Sequence, residues 1–185
     1  MTDETLHEID ALGLARETVR DAWKRIFVLA RDIDPSWEAA ILSLPNQRGR
    51  ADEDTVLGKA VRALTLYAQD SSSPPGSHVA AAERLEHLLS VTAVCTWAVS
   101  PTGQPQLGTP LGLVIAAAVT REGLEQGKPV RATWLAALAG CSHVRIKQLV
   151  QDGTLRSSGR GLVRADDARR WLAARGIKVE RRAEA

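Results

Sequence analysis

Thr133-Trp-Leu-Ala-Ala-Leu-Ala-Gly-Cys-Ser-His-Val-Arg-Ile-Lys-Gln-Leu-Val-Gln-Asp-Gly153 divides into two short helical patterns with a break between them. Trp134, Leu135, Leu138 and Ala139 recur at helical spacing. Gly140 follows, and a residue without Cβ readily takes the left-handed conformation that closes a helix. Ser142 is a candidate N-cap, its hydroxyl able to accept from an orphan backbone N–H. Behind it Ile146, Leu149 and Val150 form an apolar stripe, and Gly153 ends the second pattern. Two helices of this length, with glycine in the connection, predict a helix-turn-helix, a motif whose second helix enters the major groove of DNA.

The next residues extend this reading. Thr154-Leu-Arg-Ser-Ser-Gly-Arg-Gly-Leu-Val-Arg164 places turn residues between two short segments, 154–156 and 162–164, which is a hairpin-sized unit. Ala165-Asp-Asp-Ala-Arg-Arg-Trp-Leu-Ala-Ala-Arg-Gly176 then predicts a helix, with Asp166 and Asp167 in its first turn and Arg175 in its last, as the macrodipole favours. The order helix, turn, helix, hairpin, helix resembles the winged-helix DNA-binding domain of the excisionase/MerR-like group. The matching residues are the Leu-Ala-x-Leu-x-Gly-Cys-Ser run at 135–142, Ile146 with Leu149 and Val150, Gly153-Thr-Leu155, the basic hairpin, and Asp167-Ala-Arg-Arg-Trp-Leu172. The resemblance implies a winged helix-turn-helix with a small β-hairpin wing, binding double-stranded DNA.

Charge is distributed unevenly. Residues 1–127 hold 11 Lys/Arg and 17 Asp/Glu, and residues 128–185 hold 13 and 5, so a net −6 faces a net +8. A basic segment joined to an acidic one is the footprint of a nucleic-acid-binding part attached to something else. Cys95 and Cys141 lie in apolar helical contexts and read as buried small hydrophobes of a reduced, cytoplasmic protein. The start of the chain is acidic, unlike a secretory signal, and the apolar run at 88–99 is too short for a membrane span, so no membrane association is expected.

The first part reads as all-α. A short helix is expected within 3–12. A second is expected from Glu17 to Arg31, with Val19, Trp23, Ile26, Phe27 and Ala30 inward. A third is expected from Pro35 to about Leu44, followed by a loop at 46–52. Asp54 or Thr55 starts a helix to Gln69 with Val56, Leu57, Ala60, Val61, Leu64 and Tyr67 inward. A Ser/Pro connection at 70–77 precedes a long helix from His78 to about Val99. Thr109 as N-cap and Pro110 as N1 start a helix to Glu125, striped by Leu111, Val114, Ile115, Ala118 and Val119 and placed inside the protein as a bridge. The expected fold is therefore mainly α: an acidic helical interaction or dimerisation domain at 1–126, a winged helix-turn-helix at 128–178 and a flexible tail at 179–185.

On that reading Ile146, Leu149 and Val150 face the core with Leu135, Leu138, Cys141, Leu155 and Trp171. The outward face is Ser142, His143, Val144, Arg145, Lys147 and Gln148. Arg145 suits guanine O6/N7, Gln148 suits adenine N6/N7, and Val144 suits a thymine methyl. Ser142 stands at a helix N-terminus, where a phosphate is favoured. Arg156, Arg160 and Arg164 in the wing suit phosphates or the adjacent minor groove. The five tryptophans lie mostly on apolar faces and read as core. Glu83 and His87 share a helix at metal-binding spacing but lack a further His or Cys nearby. No catalytic constellation, metal site or cofactor motif is visible, so an enzyme is not expected.

The expected role is a sequence-specific DNA-binding regulator of bacterial or phage type, acting as a homodimer on paired half-sites. The alternative is a protein-interaction module, an antitoxin or adaptor. Its N-terminal helices would bind a partner protein, and its winged helix would autoregulate or dock.

Overall fold

The computed structural model describes residues 5–34, 36, 52–70 and 104–181. Over these the chain is mainly helical with a small antiparallel sheet. Six α-helices are described: α1 (Ala11–Ile33), α2 (Val56–Gln69), α3 (Pro110–Glu125), α4 (Ala132–Leu138), α5 (His143–Gln151) and α6 (Ala165–Ala173). The strands are β1 (Val130–Arg131) and β2 (Leu162–Val163).

Each N-terminal helix begins where a side chain caps it. The Asp10 carboxylate accepts the backbone N–H groups of Leu12 and Gly13, both at 3.0 Å. That is why α1 starts at Ala11 rather than at Glu17, and why the helix expected within 3–12 shrinks to a single 3₁₀ turn, Leu6–Glu8. Thr55 caps α2 through the Gly58 N–H. Thr109 caps α3 through the Gly112 N–H, with Pro110 at N1, so the bounds of α3 are those expected. Gly112 also has a steric reason: a Cβ there would lie 2.0 Å from the Gln106 carbonyl oxygen, which passes over the first turn.

Helix α3 is the central element, in contact with α1, α2, α4, β1 and α6. One apolar cluster runs from Leu6 and Ile9 through Val61, Leu64 and Tyr67 and on to Leu111, Val114, Leu135, Ile146, Leu155 and Leu172. Because neighbours surround α3, its burial is not a single stripe. Gly112, Ala116, Ala117, Thr120, Arg121 and Glu125 are buried alongside Leu111, Val114 and Ala118, while Val119, expected inward, is 45% exposed. Val56 is likewise turned out, at 51% exposure. A Cα–Cβ bond in a helix tilts toward the N-terminus, so the first residue of α2 projects past the helix end.

Other expectations are corrected in detail. Trp23 and Trp134 are half-buried rather than core, while Val150 and Trp171 are half-buried and pack against the core cluster, the side expected of them. Trp23 stacks on Phe27 with ring centroids 5.8 Å apart. Cys141, a free thiol, is also half-buried because it sits in the turn between α4 and α5 rather than within a helix. Strand β1 was not expected: two residues are too few to show an alternation, and only pairing defines them. The helices expected at 35–44 and 78–99, the connection at 70–77, and Trp37, Trp97, Cys95, Glu83 and His87 lie outside the described residues, apart from Ser36 and Asp70. Among the described residues no helix is long and apolar enough to cross a membrane.

The most unusual interior side chain is Arg121, 1% exposed. Its guanidinium donates to the Lys178 carbonyl at 2.8 Å and to the carbonyls of Ala68 and Gln69 at 3.3 and 3.4 Å. Those last two belong to the final turn of α2, whose carbonyls have no partner within their own helix. One arginine thereby joins α2, α3 and the segment after α6.

Candidate nucleic-acid interface

Helix α4 ends at Gly140, whose φ of 60° is the left-handed conformation expected there. The Cys141 N–H donates to the Ala136 carbonyl at 3.1 Å and the Gly140 N–H to the Ala137 carbonyl at 3.3 Å, the paired bonds of a Schellman closure. The chain reverses within this turn and α5 begins at Ser142, whose Oγ accepts the Arg145 N–H at 3.3 Å. Ile146 and Leu149 are buried against Leu135, Leu138 and Leu155. Burying that side leaves the opposite face outward, and Ser142, His143, Val144, Arg145, Lys147 and Gln148 are all exposed. The face carries no carboxylate from within α5, and among the described residues no ion pair holds Arg145 or Lys147.

The hairpin follows from its turn. The Leu162 N–H donates to the Gly159 carbonyl at 2.9 Å across Arg160 and Gly161, whose φ values are 48° and 76°. Positive φ at both central residues is the type I′ pattern, whose twist suits a hairpin. An arginine there adopts a conformation that costs a residue with a Cβ of the order of 1 kcal/mol. The arms close through the Ser158 N–H to the Leu162 carbonyl at 2.8 Å and the Arg164 N–H to the Arg156 carbonyl at 3.1 Å. Ser157 bridges Val163, and Val163 also pairs with Val130 on β1, so three short segments lie side by side. The Ala132 N–H donates to the Gly161 carbonyl at 3.0 Å, which pins the start of α4 to the hairpin tip.

The three hairpin arginines are not equivalent. Arg160 stands at the tip and Arg164 at the base, both exposed. Arg156 is also exposed but is engaged within the protein: its Nε and Nη2 donate to the two Asp167 oxygens at 2.8 and 2.9 Å, and its backbone N–H adds a third bond at 3.2 Å. Asp167 is 4% exposed and also accepts from Arg170. Hydrogen bonds from Arg156, ahead of those from Arg170, hold the Asp167 carboxyl far below the usual carboxylate range. This ion pair fastens the first arm of the hairpin to the first turn of α6.

Sequence reasoning thus found the exposed face and the hairpin but not the ion pair that secures it. Asp167 read as a macrodipole residue, and only its burial reveals the second role. Nothing in the spacing marks Arg131 either, yet the sheet register sets it opposite Leu162, with its guanidinium 4.9 Å from the centre of the Trp134 ring.

No protein-family model, no curated protein sequence and no solved structure matches this chain.

Proposed function

We propose that residues 128–178 are a winged helix-turn-helix of the excisionase/MerR-like kind, and that the chain is a sequence-specific double-stranded-DNA-binding regulator. The observation that carries this reading is the outward face of α5: six consecutive-turn side chains, exposed and without a carboxylate, beside a hairpin that presents Arg160 and Arg164. A helix of this width fits the major groove. Arg145 and Gln148 are the side chains able to make bidentate base contacts, and Val144 supplies an apolar one. His143, Lys147 and Ser142 lie along the same face for phosphate and sugar. Arg156 contributes by fixing the hairpin, since its guanidinium is engaged with Asp167. One such unit covers a small area, so a homodimer on two half-sites gives the affinity and specificity that regulation needs.

Selection of bound sites from random duplexes tests the reading. A recurrent motif with two half-sites is expected, and log K falls linearly with log salt. Arg145→Ala relaxes selection at one guanine by about ten- to a hundredfold. Absent or salt-independent binding defeats the proposal.

A second reading, contact with a partner protein through the N-terminal helices, is favoured by the exposed Val28 and Ile33 on α1 and Val56 and Leu66 on α2. Loss of partner capture on changing these four side chains to Ser or Lys, with DNA binding kept, would identify it.

A further inference from the structure

We propose that Arg131, on β1, is a phosphate-contacting residue of the same DNA-binding surface. This rests on the DNA-binding reading above and adds a contact that the α5 face and the hairpin do not include.

The argument starts from register. Val130 pairs with Val163 and Arg131 with Leu162, antiparallel. Directly paired residues project to the same side of a sheet and successive residues to opposite sides. Val130 and Val163 are both buried in the core, so Arg131 projects to the outer side, and by the same alternation so does Arg164. Neighbouring strands lie about 4.8 Å apart, so β1 brings Arg131 alongside the returning arm of the hairpin rather than at the far end of the chain's basic part. The Ala132 N–H bond to Gly161 fixes this proximity at the tip, next to Arg160. Arg131, Arg160 and Arg164 thus form an exposed basic rim drawn from two separate segments.

The state of the side chain points the same way. Among the described residues no carboxylate pairs with Arg131, while its guanidinium lies over the Trp134 ring. Stacking on an aromatic face restrains a guanidinium without consuming its N–H donors, which lie in its plane and remain available to an anion. A guanidinium set over an aromatic ring, unpaired by acid and on a strand joined to the hairpin that carries Arg160 and Arg164, fits the phosphate backbone and reads no base.

The test measures binding of the 185-residue chain to a fluorescent mixed-sequence duplex of about 30 base pairs, long enough for two half-sites, by anisotropy over a salt series. Each phosphate contact contributes about 0.9 to the slope of log K against log salt. Arg131→Gln is expected to lower the slope by about that amount and to weaken binding equally for unrelated sequences. Arg131→Lys is expected to keep the slope, because the charge remains. Lys24→Gln, on α1, removes a charge outside the surface and is expected to leave the slope unchanged. Circular dichroism confirms that each variant is folded. The proposal is overturned if Arg131→Gln retains the full slope, if Arg131→Lys loses as much slope as Gln, or if Lys24→Gln matches Arg131→Gln. Failure of the unaltered protein to bind the duplex at any salt overturns the DNA-binding reading itself, and this inference with it. The two failures are therefore distinguishable.

Discussion

Helices α3 and α5 start alike and end up opposite. Each begins at a hydroxyl cap, Thr109 or Ser142, and each carries an arginine among aliphatic residues. Arg121 of α3 is sunk in the interior, giving its protons to three carbonyls; Arg145 of α5 is exposed, and among the described residues no acid pairs with it. The arginine type does not explain the difference. Helix α3 has neighbours all around, and two of them deliver carbonyl oxygens that their own backbones leave unpaired. Helix α5 has a core on one side only. An arginine goes inside where acceptors arrive to meet it, and stays available where they do not.

The largest test of that contrast is Arg121→Ala. It opens a cavity and strands the carbonyls of Ala68, Gln69 and Lys178, at a cost of about 3 kcal/mol. For a chain of this size that lowers the melting temperature by about 6–12 °C, measured by circular dichroism. Arg121→Met keeps much of the volume and avoids burying a charge, which already pushes the Arg121 pKa down, so it should cost clearly less. An unchanged melting temperature in Arg121→Ala would remove the distinction between the two helices.

Asp167 sharpens the contrast from the other direction, as an interior charge inside the outward-facing part. Asp167→Asn should lower the melting temperature by several degrees and loosen the hairpin arm, seen as faster amide exchange at Arg156 and Arg164. The carboxyl's pKa is depressed in the folded protein. Its stabilisation is therefore complete above the unfolded carboxyl value near pH 4 and declines as pH falls from there toward the much lower folded value. The unaltered protein should lose stability over that acid range more steeply than Asp167→Asn. Parallel acid profiles for the two would show that the ion pair does not hold the hairpin.

The smallest effect is expected at the cap of α5. Ser142→Ala removes one exposed acceptor, at a cost of about 0.5–1 kcal/mol, and should fray the start of that helix without disturbing α3. Thermal denaturation alongside amide exchange at Arg145 would separate local fraying from global loss; a drop as large as that of Arg121→Ala would mean that the two helices are not independently held.

The elements with strong local signals are legible in the sequence. Thr109 with Pro110, Thr55, Ser142, Gly140 and Gly176 carry their reasons in their own chemistry, so α2, α3, α5 and α6 and the turn between α4 and α5 were fixed by nearest neighbours. Asp10 carries the same kind of signal, although apolar spacing alone points to a start at Glu17. The alternation of buried Ile146 and Leu149 with exposed Arg145, Lys147 and Gln148 was legible too, because a short amphipathic helix has one apolar side to hide. What the tertiary structure decided was each long-range partnership: β1 with β2, Arg156 with Asp167, Arg121 with carbonyls 50 or more positions away, and the outward turn of Val56 and Val119. Local preference acts over a turn or two of chain, whereas an acceptor brought in by packing leaves no trace beside the residue it will bind.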